Sequence, residues 1–463
     1  MMGRFSRAVV VFAAIATQVH CSTAAPSTPR TGSDGGTEGR DVAVDAVAVD
    51  VVVVDAGDVG ASATTDAGVD ATTETADAAA PGLDAGVPVG KVPMFVAEGY
   101  FGRTIVSCDD GQTWVGNHSW DIDDDGLWCG PDGGANCSDT ACYFLVNGAC
   151  QKTPCCNDTP DFSHGIAFGQ GAFVANWGHG MPGVIRRSTN GLDWTTTSTN
   201  AQYGDLAYGG GRFVASSLTP LWSADGITWS DAGAANFATA DGGKPDVVRV
   251  VGYGDYNGAG RFVAIAEPPG PAFLVSSDGA QTWWAPAVVP SNCAAGGLGT
   301  YGRVISGNGV ILIVDEYGNA CRTTDGGNTW SVSPIGVTGV HAWAVWSGGQ
   351  FVVWGADADP GGYIAASYRL TSPDGATWTK TPLTSPVGLG PVAVGTSGTF
   401  VAINGVFDGY GQQAFLRSTD GLTWEQLPAA AVVQSHPLYY VTFGYADPSA
   451  TCPLTQLLDG GSE

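Results

Sequence analysis

Seven short segments of this chain share one pattern: a serine or threonine, an acid or amide two residues later, then glycine, then tryptophan. They read SCDDGQTW to Trp114, STNGLDW to Trp194, SADGITW to Trp229, SSDGAQTW to Trp283, TTDGGNTW to Trp330, SPDGATW to Trp378 and STDGLTW to Trp424. The chemistry of such a box is that of a hairpin turn. Its hydroxyl and carboxylate accept hydrogen bonds from turn N–H groups, and its glycine takes a backbone twist that a Cβ would resist. The closing tryptophan is large enough to fill the space between neighbouring sheets. A row of box aspartates is therefore a row of turn fasteners, not of catalytic acids.

A second repeated element precedes six of the boxes. FGQGAFVA (168–175), YGGGRFVA (208–215), NGAGRFVA (257–264), GNGVILIV (307–314), SGGQFVVW (347–354) and TSGTFVAI (396–403) each place a glycine-containing turn before an apolar strand. A further strand precedes each turn, so one unit reads strand, tight turn, strand, loop, strand, box, strand. Four antiparallel strands per unit is the make-up of a propeller blade. No helix or lysine follows these G-x-G turns, which sets aside a phosphate-binding loop. The first unit, from Met94 to Trp114, lacks its leading strand, while LYYVTFGYADP (438–448) is a strand with no box after it. The chain is thus expected to be all-β: a seven-bladed β-propeller whose C-terminal strand completes the first blade and removes open sheet edges. Six or eight blades stay open, because the interval from Trp114 to Trp194 is long.

The boxes resemble the Asp-box of bacterial-neuraminidase-type repeats, S/T-x-D-x-G-x-T-W, found in sialidases and in many non-enzymatic propellers. The resemblance covers residues 94–463. Four boxes (those ending at Trp194, Trp229, Trp378 and Trp424) are one residue shorter than the family form, and Asn190 stands for the aspartate in the second. What the resemblance implies is that the boxes lie away from the face that binds ligands. The ligand face then comprises EGYFGR (98–103), NWGHGMPG (176–183), AEPPGPA (266–272), DEYGNA (315–320), GADADPGGY (355–363) and NGVFDGYGQQ (404–413). These loops supply Tyr100, Trp177, His179, Glu267, Glu316, Tyr317, Tyr363, Asp408 and Tyr410 as candidate contacts. Aromatic faces beside carboxylates suit sugar rings, which offer apolar C–H faces and many hydroxyls; turn chemistry alone also enriches exposed loops in such residues.

A sialidase would need three arginines, a Tyr/Glu nucleophile pair and an acid. No F/Y-R-I-P segment precedes the first box, and Arg187, Arg212, Arg261, Arg322, Arg369 and Arg417 all fall in hairpins or on strands leading into boxes. Spacing assigns no catalytic residue, although a glycosidase needs only two suitably separated carboxylates.

Outside the repeats the chain changes character. Arg4 and Arg7 precede the apolar run from Ala8 to Ala16, too short to span a bilayer, so residues 1–21 read as an export signal. TQVHC places Cys21 where a lipoprotein carries its lipidated cysteine; cleavage after Ala24 is the competing reading. Residues 22–92 are rich in Asp, Ala, Val, Thr and Gly, without aromatics, and read as a disordered tether with ends on the order of 45 Å apart. The domain 93–463 follows. The formal net charge of -26 argues against a nucleic-acid backbone or an anionic membrane surface as partner.

The long interval is a cysteine-rich insertion, residues 115–163, with six of the eleven cysteines. Setting Cys21 aside leaves an even number, suited to disulfides in an oxidising compartment. Three bridges are expected inside the insertion, one between Cys293 and Cys321, and one between Cys108 and Cys452 that would staple the ring closed. Zinc is the rival reading, but paired CxxC knuckles are lacking. Within the insertion, DIDDDGLWCGPD places Asp121, Asp123, Asp125 and Asp132 at the spacing of an EF-hand-type loop, a candidate Ca2+ site. Asp132 stands where a bidentate glutamate is usual, and Gly130–Pro131 oppose a following helix.

These readings point to an exported, surface-tethered monomer that binds an extracellular glycan or a protein partner. It would sit in the outer membrane or at the cell surface as a lipoprotein, or else be periplasmic or secreted, and would meet the membrane only through a lipid anchor. The alternatives are a sialidase-like glycoside hydrolase and an assembly or stability factor. Replacing Cys21 with Ser should abolish fatty-acid labelling and move the protein from the membrane to the soluble fraction; unchanged partitioning would place the cleavage after Ala24.

Overall fold

The computed structural model describes residues 87–99, 102–116, 142–146, 149–153, 163–177, 184–198, 204–217, 219–232, 237–238, 248–266, 273–294, 303–315, 318–337, 343–358, 364–386, 388–404, 414–432 and 438–454. The apolar–glycine–apolar units form the expected hairpins, and these build a seven-bladed β-propeller. In blade 2, for example, Ser163–Gly169, Ala172–Trp177, Val184–Ser188 and Thr195–Ser198 pair in sequence order from the axis outward. Blades 3, 5, 6 and 7 repeat this order, beginning at Leu206, Arg303, Trp343 and Val392. Blade 4, beginning at Val248, carries Phe237–Ala238 as an added parallel strand on its outer edge. Helix is confined to short turns such as Ser291–Ala294 and the 3-10 turn Ala429–Ala431 among the described residues.

The hairpin between the two inner strands uses a left-handed pair in five blades: Gln170–Gly171, Gly210–Gly211, Asn257–Gly258, Asn308–Gly309 and Gly348–Gly349 all have positive φ. That is the turn whose twist matches the strands it joins. The boxes at the opposite hairpin bind as their chemistry requires. In the fourth, Ser276 Oγ accepts from Ala280 N at 2.9 Å, and Asp278 Oδ1 accepts from Gln281 N and Thr282 N at 3.0 and 2.9 Å. The length difference among boxes has a backbone explanation. Short boxes turn on one left-handed glycine, Gly191, Gly226, Gly375 or Gly421. Long boxes need two successive left-handed residues: Asp110–Gly111, Gly279–Ala280 and Gly326–Gly327.

Each blade has two apolar faces, and only its neighbours can bury them. The core is accordingly distributed over the blade interfaces. Between blades 2 and 3, Val174 and Ile185 meet Phe213 and Ala215; between blades 6 and 7, Trp354 meets Phe400, Leu416 and Trp424. Near the axis a further device recurs. An aromatic on the innermost strand stacks against the phenylalanine paired with it, as in Phe168–Phe173, Tyr208–Phe213 and Trp346–Phe351. The same ring lies on an innermost-strand glycine of the preceding blade, where a Cβ would stand 2.2 Å from it at Gly169 and Gly307 and 1.9 Å at Gly209.

Arginines clasp the blades at the rim. Arg187 Nε donates to Asp225 O at 3.1 Å, Arg322 Nε to Asp374 O at 2.6 Å, and Arg417 Nε to Asp110 O at 2.8 Å, each reaching the box of the next blade. Arg212 donates to Gly279 O at 3.4 Å, while Arg261 and Arg369 lie beside Gly326 and Gly421 of the following boxes. These six arginines are thus structural.

The interface between blades 1 and 2 is held differently. Leu438–Ala446 pairs antiparallel with Val92–Gly99, from Val92 opposite Ala446 to Gly99 opposite Leu438, so the C-terminal strand forms the innermost strand of blade 1 as expected. The Cys108–Cys452 disulfide ties the first box to the segment after that strand, and Lys91 Nζ pairs with Asp447 at 2.6 Å. The expected Cys293–Cys321 disulfide also forms. Of the cysteine-rich insertion, the backbone shows an antiparallel hairpin of Cys142–Val146 with Ala149–Thr153. The three bridges expected within it, the candidate calcium loop and Cys21 lie outside what the structure describes.

Box aspartates 225, 278, 325, 374 and 420 all have lowered pKa values. At Asp278 burial opposes ionisation, but hydrogen bonds from Thr282, Ser276 and Gln281 outweigh it. A native pKa below the unfolded one means that the stabilisation is complete above the ordinary value near 3.8 and is lost as pH falls through the lower native value. Asp278→Asn should therefore cost about 1 kcal/mol at neutral pH, and the gap to wild type should close as pH falls from the ordinary carboxylate range through the lowered native value in chemical denaturation.

Candidate functional site at the channel mouth

The innermost strands run from the loop end of the ring to the turn end. Their first residues therefore meet where the loops between blades converge. Four of them form one cluster: Asp205 of blade 3, Arg303 of blade 5, Trp343 of blade 6 and Tyr440 of blade 1. The Arg303 Nη1 lies 3.2 Å from Asp205 Oδ2. Its guanidinium carbon stands 3.9 Å from the centre of the Trp343 ring and 5.4 Å from that of Tyr440. A group that projects from blade 5 and touches blades 1, 3 and 6 must lie near the axis. Arg303 therefore stands across the loop end of the central channel.

Each partner is itself anchored. Trp343 Nε1 donates to Val392 O of blade 7 at 2.9 Å, which fixes the ring plane for cation–π stacking. Asp205 Oδ1 accepts from Leu206 N at 2.9 Å, and the Asp205 amide donates to Arg249 O of blade 4 at 3.3 Å. Burial raises the Asp205 pKa, against the pull of Arg303 and these amides. Tyr440 lies opposite the fully buried Glu98 across the closing strand pair. Burial pushes the Tyr440 phenol up to about 12, with Asp205 and Glu98 adding to the effect and Arg303 opposing it.

This arrangement distinguishes two kinds of chemistry. Glu98 beside Tyr440 supplies the residue types of a tyrosine nucleophile and its activating base. A phenol in that role is activated by an adjacent base; here burial raises the Tyr440 pKa and Arg303 opposes the rise. Asp205 is engaged by Arg303 and backbone amides. The cluster offers a phenol, guanidinium N–H groups and aromatic faces, groups that can recognise an oxygen-bearing or ring-shaped ligand.

Of the contacts expected from the loops, Trp177 is the one within the described residues, and it is not presented to a ligand. It is 0% exposed, donates from Nε1 to Gly99 O at 2.8 Å and packs edge-on to Trp194, so it belongs to the interface between blades 1 and 2. Tyr100, His179, Glu267, Glu316, Tyr317, Tyr363, Asp408 and Tyr410 lie outside the described residues. Two neighbouring loop carboxylates have local partners: Asp315 accepts from Asn319 N at 2.7 Å, and Asp357 pairs with Lys380 at 2.8 Å. Among the described residues no group of histidine, cysteine or acidic side chains could hold a metal ion.

The channel-mouth residues were missed from sequence because they precede or begin innermost strands, positions that look like core. A usable signal existed: a charge at a strand start otherwise apolar, as in RVISG at Arg303 and DLAYG at Asp205.

No protein-family model matches this chain, and no curated protein matches its sequence. Among solved structures, that described as YCF48 bound to D1 peptide aligns with a TM-score of 0.38 at 13% identity, covering 77% of this chain and 99% of that one. A protein from Lactobacillus plantarum aligns with a TM-score of 0.37 at 12% identity, over 76% of this chain and 99% of that one. The GH74 xyloglucanase from Xanthomonas campestris aligns with a TM-score of 0.32 at 14% identity, over 79% and 68%. Likenesses at this level carry no argument about ligand or activity.

Breaking the axial ion pair leaves a buried charge unpaired. Arg303→Met should lower stability by about 3 kcal/mol, and Asp205→Asn combined with it should cost clearly less than the two single changes added together. Denaturant unfolding of the three variants measures this; strict additivity would show that the two residues do not interact.

Proposed function

We propose that this protein is an exported, surface-tethered binding propeller that engages an extracellular glycan or protein partner on its loop face, over the axial Arg303 cluster. The observation that carries this reading is the cluster itself. Side chains from four blades converge on one point, where aromatic faces stand beside fixed donors. The repeats fit a divergent member of the Asp-box class, in which the box supplies turns and the loops supply specificity. In the same reading, Cys21 carries the lipid anchor, residues 22–92 hold the domain clear of the surface, and Asp121, Asp123, Asp125 and Asp132 bind Ca2+ to stiffen the cysteine-rich insertion.

A glycan array probed with the mature chain, followed by a reducing-sugar assay on any bound glycan, tests the proposal. The expected result is saturable binding without product release, weakened at least about tenfold by Trp343→Ala. Release of reducing sugar would establish a hydrolase instead, and a blank array with capture of a defined protein partner would select the protein-binding form.

A further inference from the structure

Below Arg303 the central channel widens into a cavity that shares Asp205, Arg303, Trp343 and Tyr440 with the loop-face cluster. It has a volume of about 760 Å3 and extends from Asp205, Arg303 and Tyr440 at the loop end to Gln170, Pro88 and Lys91 at the turn end. Gln170 and Pro88 at the turn end are exposed. The cavity is therefore an axial pocket that reaches the surface at the face opposite the loops. Its volume falls within the range of small-molecule sites, roughly 300–1,000 Å3.

The wall is mostly apolar. Phe168, Tyr208, Tyr253 and Trp346, from four blades, line it beside Val251 and Val304. The polar groups gather at the inner end. The Arg303 Nε is buried without an acceptor among the described residues, and the Tyr440 ring lies beside the same guanidinium. This end therefore offers donors to an acceptor oxygen. It does not invite a charge. Arg303 is already neutralised by Asp205, and the Glu98 carboxylate acts on Tyr440 from the adjoining strand. A carboxylate or sulfate head would meet these acids in a chain of net charge -26. At the entrance Lys91 is likewise neutralised by Asp447.

We infer that the axial pocket binds an uncharged, elongated ring compound, apolar along its body, with one hydroxyl or carbonyl oxygen at the end that reaches Arg303 and Tyr440. The ring stacks against the aromatic wall, and the oxygen accepts from the Arg303 Nε, which has no acceptor among the described residues. The site shares Arg303, Trp343 and Tyr440 with the loop-face cluster and adds to them the channel wall below.

β-Estradiol is a suitable probe, being uncharged, ring-shaped and hydroxylated at its ends, and its 17-sulfate is the matched anion. Calorimetric titration into the mature chain, with tryptophan fluorescence reporting on Trp346, should show one saturable site for estradiol and at least about tenfold weaker binding of the sulfate. Thr442→Trp places a large side chain on the channel wall and should reduce estradiol affinity at least about tenfold; circular dichroism and thermal unfolding check its fold. Should that variant not fold, Val394→Trp on the wall of blade 7 takes its place. Absence of saturable binding, equal affinity for the sulfate, or undiminished binding by the folded channel-filling variant would each overturn the proposal.

Discussion

Every blade of this protein depends on the blade on either side, and the pairing of Leu438–Ala446 with Val92–Gly99 is what gives the first and last blades a neighbour. A single four-stranded sheet with two apolar faces cannot bury them itself. The seven interface cores therefore form a cycle of mutual cover, and opening it anywhere exposes two apolar faces at once. Because the closing pair joins residues near the two ends of the described chain, its entropic cost is that of a very long loop. That cost grows only slowly with length, while the return is a complete additional interface. The Cys108–Cys452 bridge and the Lys91–Asp447 pair fasten the closing strand of blade 1 beside its interface with blade 2, where the described residues show no arginine clasp.

The closed ring also creates the axis, and the axis is where the chemistry of the molecule differs from end to end. At the loop end three innermost strands begin at or just after a charged or aromatic residue: Asp205, Arg303 and Trp343. At the turn end the innermost strands of blades 2 and 3 finish in an aromatic followed by glycine, and ring packs against glycine across the interfaces. One strand design repeated around a ring thus yields a polar lock on one side of the channel and an apolar lining on the other. Burial there raises the pKa values of both Asp205 and Tyr440, and Arg303 opposes both shifts.

Much of the architecture was legible because it is local and repeated. The box spacing marks a hairpin whose hydrogen bonds run within five residues, as between Asp278 and Thr282, and such contacts need no knowledge of the rest of the fold. The glycine turns were legible for the same reason. Ring closure and two disulfides followed from counting strands and cysteines at the ends. The loop contacts were argued from family resemblance and composition. Trp177 shows the weakness of that argument: an aromatic at the edge of a loop is equally suited to sealing a blade interface, and here it does so.

By itself the sequence determined the kind of blade, the turn chemistry and the manner of closure, because hydrogen bonding within a hairpin and apolar alternation along a strand are properties of neighbouring residues; the structure fixed the count at seven where six or eight had stayed open. Only the tertiary structure decided what stands on the axis. Asp205 and Arg303 are 98 positions apart and belong to blades that are not adjacent. They meet because a seven-fold ring brings the starts of its innermost strands to one point, and no local pattern encodes that convergence.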